Sequence, residues 1–572
     1  MNRQQILTAL RQNPEIPVLI VGGGVNGIGV LRDLALQGVD ALLVEKSDFC
    51  AGTSAASGRV AHGGIRYLEN GEFRLVREAL HERNRMLQNA PHCVEPLLVA
   101  MPAFSWAKGM IHAARQFFGL KSAPGDRGAL ILKIGMTLYD LYSGSRILPA
   151  HHFESRGRSL GERPAFNPAI KCIAYFYDAR IRFPERFCLE LIQDAAVSHP
   201  GARALNYVRL VGASGNRVTL ADDLTGETFT VQPQIVVNAT GAWIDFANQS
   251  MGRETALIGG TKGAHLVVEH PELWRLTQNQ MLFYVNADAR ICIFYAIGQR
   301  VLIGTTDIPA SNPDETICDE DETDYLLRSV ERVFPGIRLD RSHIVYTFSG
   351  VRPLPTSSAA TAGQISRDHS APLTPPGGGI DFPILSLVGG KWTTYRAFSE
   401  MVADELLKLL GRKRAADTRT LPVGGGRDYP RGESARHAWI QACAEETGLS
   451  VERIDTLLDR YGTTARAVAR SCVQSGRDAP LAAHPAYSIG EMLYLAQQER
   501  VEHLDDVVQR RTMIAMQGET TLPLLEEIAE IIAPTLGWSP ERQAAEVART
   551  VGILLDRHKI DVRRPQPNYA AR

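Results

Sequence analysis

Between a short apolar strand and an apolar-periodic helix the chain carries Gly22-Gly23-Gly24-Val25-Asn26-Gly27, and no other feature of the sequence restricts the fold as much. Val18 to Val21 reads as the strand and Ile28 to Gln37 as the helix, which Gly38 ends. A second strand over Ala41 to Val44 finishes at Glu45. A lone G-x-G-x-x-G match is weak, because glycines recur in loops. Set between strand and helix, Gly22, Gly24 and Gly27 let backbone approach a pyrophosphate at a helix N-terminus, where unpaired N–H groups and the positive dipole end favour anions. Glu45, about twenty residues on, is placed to accept hydrogen bonds from ribose hydroxyls. The triplets Gly377 to Gly379 and Gly424 to Gly426 lack this setting and read as loops.

The path after Glu45 separates the two common dinucleotides. An NAD domain continues in regular βαβ units. This chain instead enters Gly52-Thr53-Ser54-Ala55-Ala56-Ser57, whose backbone and hydroxyls can meet a second phosphate. The turns Asn238-Ala239-Thr240-Gly241 and Gly389-Gly390 can return backbone to the same nucleotide from distant sequence. Such discontinuous wrapping suits a long, buried flavin dinucleotide, FAD.

Further along, Arg217 to Leu220 and Thr228 to Val231 flank Thr225-Gly226 as a hairpin, and Ile235 to Val237 reads as a separate buried parallel strand. Strands at Leu266 to Val268, Ile291 to Tyr295 and Val301 to Ile303 suggest a second sheet. Ile384 to Val388 precedes Gly389-Gly390-Lys391 and a helix to about Leu410. Beyond the breaker-rich Leu421-Pro422-Val423-Gly424-Gly425-Gly426 the chain reads as almost wholly helical, with a capped start at Ser539-Pro540-Glu541. The expected organisation is an oxidoreductase domain with interleaved cofactor and substrate parts over 1–420, a linker over 421–432 and a helical domain over 433–572.

Composition excludes several classes. Lys and Arg number 62 against 63 Asp and Glu, so no global field draws the chain onto nucleic acid, and any anion site must be local. The 8 cysteines show no C-x-x-C and no His/Cys ligand spacing. With no secretory leader visible, they are expected to be reduced, buried thiols in a cytosolic compartment, with no metal site. The longest charge-free apolar run, Ile16 to Leu31, holds five glycines, and nothing reaches the roughly 18 to 20 apolar residues of a membrane span.

Several stretches are more particular: His62-Gly63-Gly64-Ile65-Arg66-Tyr67-Leu68-Glu69, Phe73-Arg74-Leu75-Val76, Gly304-Thr305-Thr306-Asp307, Ser349-Gly350-Val351-Arg352-Pro353-Leu354 and Gly389-Gly390-Lys391-Trp392-Thr393-Thr394-Tyr395-Arg396. The helical part adds Glu491, Glu499, Leu504-Asp505-Asp506-Val507 and Arg510-Arg511-Thr512. With Gly22 to Gly27 these resemble the FAD-dependent glycerol-3-phosphate dehydrogenase family, from Val18 to about Thr512. The resemblance implies an α/β fold: an FAD-binding two-dinucleotide-fold (DAO-like) domain with an inserted antiparallel substrate sheet, and a helical C-terminal domain. It also implies oxidation of sn-glycerol 3-phosphate to dihydroxyacetone phosphate, electron transfer to a quinone, and a peripheral location on the cytoplasmic face of the membrane. A homodimer is compatible with the sequence, which sets no oligomeric state.

Such a reaction needs a cationic pocket for a phosphate dianion, a base for the C2 hydroxyl and a flavin face beside the C2 hydrogen. Arg352 and Arg367, with Arg66 and Lys391, are the expected phosphate ligands, because guanidinium forks match phosphate oxygens. His265 is the leading base and His62 the second; Tyr67 is expected to orient substrate. The expected cofactor residues are Gly22, Gly24, Asn26, Gly27, Glu45, Thr53, Ser54, His62, Gly63, Gly64, Thr240, Gly241, Gly390, Lys391 and Thr393. For membrane contact, Phe104, Trp106, Met110, Ile111, Phe117, Phe118 and Leu120 alternate with Lys108, Arg115 and Lys121, as in an interfacial basic amphipathic segment. The alternative is a helix packed on the core.

Two stretches depart from the family's pattern: Tyr295-Ala296-Ile297-Gly298, where an Ile-Pro-Trp run is usual, and Tyr177-Asp178-Ala179-Arg180 with Arg182-Phe183-Pro184-Glu185-Arg186, where paired aspartates are expected. Both are expected near the substrate, so a longer polyol phosphate such as erythritol phosphate is the alternative. An FAD-dependent amine or amino-acid oxidase is a further one.

Overall fold

A computed structural model of the protein describes residues 1–68, 71–106, 128–144, 147–286, 288, 290–356 and 368–563, the side chain of Arg66 excepted. Two sheets and a helical C-terminal region organise these residues. In the first sheet the Glu15–Val21 strand lies between Ala41–Val44 and Thr228–Asn238, parallel to both. Ala202–Leu205 and Ile384–Ser386 extend it, again in parallel. Its strands are apolar on both faces, as a parallel sheet covered by helices requires. Helices Val25–Leu36, Pro184–Ser198 and Tyr395–Leu409 pack in the same core as Val18, Ile20, Leu43 and Val237. Val25–Leu36 and Tyr395–Leu409 cross closely at Gly29, where a Cβ would lie 2.2 Å from Ser399 Oγ.

The second sheet is antiparallel apart from the pairing of Met281–Val285 with Val94–Ala103. It carries Thr261–Val268, Ile291–Ile297, Arg300–Gly304, Ile344–Arg352 and Cys172–Ile181. The strand expected over Ile235 to Val237 is instead the end of one continuous strand, Thr228–Asn238. Its first half pairs antiparallel with Arg217–Asp222 and its second half parallel with Glu15–Val21. The change of partner, with Pro233 inside the strand, imitates a break in the local pattern.

From Glu433 onward the described chain is helical, beginning with Glu433–Thr447. The breaker-rich segment before it is packed rather than free. Val423 N–H donates to the Asn89 carbonyl (2.9 Å), and Gly424–Gly426 forms a 3-10 turn instead of an open loop. A Cβ on Gly425 or Gly426 would lie 2.0 or 2.2 Å from the carbonyl oxygens of Tyr461 and Asn89, so only glycine lets these backbones meet. All eight cysteines are buried and free. No helix among the described residues is long and apolar enough to cross a membrane.

Candidate active site

The glycine turn has the geometry of a phosphate cradle. Gly22 has φ +114°, and a Cβ there would come 2.5 Å from the Ala239 carbonyl oxygen. Gly27 faces the Gly22 carbonyl so closely that its Cβ would lie 2.1 Å away. Gly24 caps the Val25–Leu36 helix without a side chain, Ser54 Oγ accepts from Val25 N–H (3.0 Å), and the Gly390 turn closes on Asn26. Glu45 accepts from Gly23 N–H (2.7 Å) and Ser47 N–H (2.9 Å), while burial pushes its carboxyl above the usual range. Asn26 Oδ1 is buried with no hydrogen-bond partner among the described residues. A helix N-terminus capped by glycine, a carboxylate one strand away and an unsatisfied amide oxygen fit the pyrophosphate and ribose of FAD.

The hydroxyls expected to bind cofactor are mostly engaged within the protein. Thr53 donates to the Val351 carbonyl (2.6 Å), Thr240 to Asn238 Oδ1 (2.7 Å) and Thr393 to the His62 carbonyl (3.0 Å). A hydroxyl has one hydrogen. These side chains therefore shape the loops around the cradle.

On the second sheet, Gly263 and His265 share one face of the Thr261–Val268 strand, two residues apart. The Arg352 guanidinium lies across Gly263, where a Cβ would be 2.3 Å from Nη2. Asp307 Oδ1 and Thr305 Oγ1, each 3.0 Å away, and the Thr306 carbonyl at 3.2 Å orient it. His265 stacks on its cross-strand partner Phe348 (4.8 Å, 8°) and fills the space left by Gly304. Its Nδ1 is buried and has no partner among the described residues. Burial first, then the charges of Arg352 and Arg59, lower its pKa to about 3, so the ring is neutral near pH 7.

Lys391 approaches from another direction, its ammonium 3.8 Å from the centre of the Tyr67 ring. The segments of Arg352 and Lys391 hold the same loop. Val351 takes the Thr53 hydroxyl, Trp392 donates to the Ser54 carbonyl (2.9 Å), and Thr393 binds the His62 carbonyl. Arg66 lies in the 3-10 turn Ile65–Leu68 that carries Tyr67. Arg367 lies outside the described residues, as does the membrane candidate from Lys108 onward.

Comparison with known proteins accords with this geometry. Residues 17–377 match the family model described as FAD dependent oxidoreductase, and residues 416–543 the one described as C-terminal domain of alpha-glycerophosphate oxidase. A glycerol-3-phosphate dehydrogenase of Synechocystis sp. is 33% identical over 93% of this chain and 95% of its own. The chain belongs to the FAD-dependent glycerol-3-phosphate dehydrogenase family. It is also 30% identical to the D-erythritol 1-phosphate dehydrogenase of Brucella abortus, over 86% of this chain and 93% of that one. The glycerol-3-phosphate dehydrogenase of Bacillus halodurans, solved with FAD, shares the fold with a TM-score of 0.73 at 21% identity, covering 97% of both chains. As a member of this family the chain is an FAD-dependent oxidoreductase.

The Gly304-Thr305-Thr306-Asp307 pattern by itself assigns no role to Thr305 or Asp307; the structure makes them the supports of Arg352. The departing segments also meet, since Arg180 donates to the Ala296 carbonyl (2.7 Å); Tyr295 OH donates to the Gly58 carbonyl (2.9 Å) on the neighbouring loop. The turn after Ile297 is covered by Gln517 of the helical region. Only a change of polarity at the end of an apolar strand, Val301 to Gly304 followed by Thr-Thr-Asp, hinted at any of this.

Proposed function

We propose that this chain oxidises sn-glycerol 3-phosphate to dihydroxyacetone phosphate and delivers the electrons to a membrane quinone. The observation that carries the reading is the pairing of a held guanidinium, Arg352, with a neutral histidine, His265, on one face of the second sheet. In it Arg352 grips the phosphate, with Arg66, Lys391 and Arg367 completing the cationic wall. His265, neutral and short of one hydrogen bond, takes the C2 hydroxyl proton. A phosphate dianion beside Arg352 offsets the charge that depresses the histidine, raising its basicity when substrate is bound. FAD, when bound by the glycine cradle, supplies the acceptor for the C2 hydride. Tyr67, against Lys391, limits how the substrate lies.

The quinone and membrane parts of the reading are supported by an exposed apolar stripe. Leu130 N–H donates to the Trp106 carbonyl (3.2 Å), so the Ala129–Ser143 helix starts beside Trp106. Trp106, Leu130, Ile134 and Leu141 are 62%, 50%, 57% and 71% exposed. At positions i, i+4 and i+11 the three aliphatic residues share one helix face, suited to the interface of a bilayer on the cytoplasmic side.

A second reading keeps the chemistry and lengthens the substrate to a tetritol phosphate. It is favoured by the contact between the two departing segments at Arg180 and Ala296. Anaerobic bleaching of the flavin by C3, C4 and C5 polyol phosphates decides between them. Fastest bleaching by glycerol 3-phosphate supports the first, and bleaching by an amino acid alone overturns both. Arg352→Ala is expected to cost about 1.5–3 kcal/mol in kcat/KM.

A further inference from the structure

Resting on the reading of Arg66, Tyr67 and Lys391 as substrate-side residues, we propose that Asp178 and Tyr139 are positioning residues that set the His62–Arg66 turn for phosphate binding. Gly63 lies at the head of that turn. Its N–H points at two acceptors, Tyr139 Oη at 2.9 Å and Asp178 Oδ1 at 3.0 Å. Tyr139 OH in turn donates to Asp178 Oδ1 (2.5 Å), and Arg83 Nη1 donates to the same carboxylate (3.2 Å) and to the Tyr177 carbonyl (2.9 Å). The three side chains are 2–3% exposed and come from three elements: Ala129–Ser143, Cys172–Ile181 and Phe73–Asn89. A buried carboxylate that gathers a hydroxyl, a guanidinium and a backbone amide is a rigid reference point, because no water can replace a lost bond.

The turn is clamped from both sides. On one, a Cβ at Gly63 would lie 2.4 Å from Tyr139 Oη and from Leu80 Cδ2, so the backbone is seated directly against the tyrosine. On the other, the Thr393 hydroxyl holds the His62 carbonyl, two residues from Lys391. Gly64, at φ +78°, then reverses the chain into the turn that carries Arg66 and brings Tyr67 over Lys391. Moving Gly63 therefore moves the backbone of Arg66 and the Tyr67–Lys391 contact together, while His265 and Arg352, anchored on the second sheet by Phe348, Thr305 and Asp307, stay in place. The expected signature is a weaker hold on the phosphate with the chemical step little changed.

The test uses the full-length, FAD-loaded enzyme and glycerol 3-phosphate. Tyr139→Phe removes one hydroxyl and keeps the Arg83–Asp178 pair; it is expected to raise KM about 3- to 10-fold with kcat within twofold. Asp178→Asn should raise KM about 10- to 100-fold where it folds. Met136→Ala, a fully buried residue of the same helix as Tyr139, controls for helix stability: it should lower the melting temperature and leave KM unchanged. Unchanged KM in a folded Tyr139→Phe protein overturns the inference, as does an equal rise in KM in Met136→Ala. Arg352→Ala and Lys391→Ala separate the two levels. If they raise KM and Tyr139→Phe does not, only the positioning role fails; if none of the three affects substrate affinity, the functional reading beneath it fails.

Discussion

The nucleotide cradle and the seam between the α/β part and the helical region are both close fits, built from opposite materials. The cradle is made by omission: at Gly22 and Gly27 a single methyl group would strike a carbonyl. The seam is made by charge. Asp48, three residues after Glu45, is fully buried and takes Arg510 Nε at 2.5 Å and Arg511 Nη2 at 2.9 Å. Val507–Arg511 is a π-helical turn, and its wider winding lets two consecutive arginines reach one carboxylate. Arg186 and Glu499 add a bidentate pair at 2.6 and 2.7 Å. Backbone groups meet phosphate without titrating or changing rotamer, so a cradle for a fixed ligand favours them. Two packed surfaces need directional contacts that reject other registers, which buried ion pairs supply at a cost in desolvation.

Substitutions can break this comparison at several levels. The largest effect is expected at the seam, where Asp48→Ala leaves two guanidiniums buried with reduced compensation and should cost about 3–5 kcal/mol by urea unfolding. Next comes Gly27→Ala, whose Cβ meets backbone that cannot move aside; about 1–3 kcal/mol of strain should weaken FAD retention on gel filtration at least about fivefold, with the seam intact. A seam variant that loses FAD more readily than Gly27→Ala would show the two regions to be one unit.

Acid comes third. Burial tends to raise the Asp48 carboxyl, but Arg511 and Arg510 hold it well below the carboxylate range. Its contribution is thus present above the unfolded value near 4 and lost as pH falls below it. His265 is lowered from 6.5 to about 3, so the native state resists protonation, and stability falls as pH drops from 6.5 towards 3. His265→Gln should lessen the fall of melting temperature between pH 6.5 and 4 without abolishing it, because burial also lowers His558, to about 4, over the same range. The smallest effect is expected for the exposed pair Arg11–Glu227, where Arg11→Ala should change stability by less than about 0.5 kcal/mol.

Local pattern made much of the molecule legible in advance. The Ala41–Val44 strand, the helix ending at Leu409 and the Ser539 cap follow the bounds that periodicity and capping chemistry predict. The strand from Thr228 to Asn238 did not, because its two halves answer to different partners. The glycine cradle was visible because its requirement is local: each position is restricted by backbone atoms a few residues away or by one returning turn. What holds Arg352, which neighbours silence the charge of His265, and why Gly63 sits against Tyr139 were not visible, since the partners lie tens to hundreds of residues apart.

The sequence by itself determined a dinucleotide-binding βαβ unit, a discontinuous wrap suited to FAD, and a helical C-terminal region, all of them carried by short-range periodicity and steric restriction. Only the tertiary structure decided which arginines lie in the seam and which lie beside His265. A guanidinium has the same chemistry in either place; one is buried against Asp48 and the other lies half-buried across Gly263, and only the fold separates them.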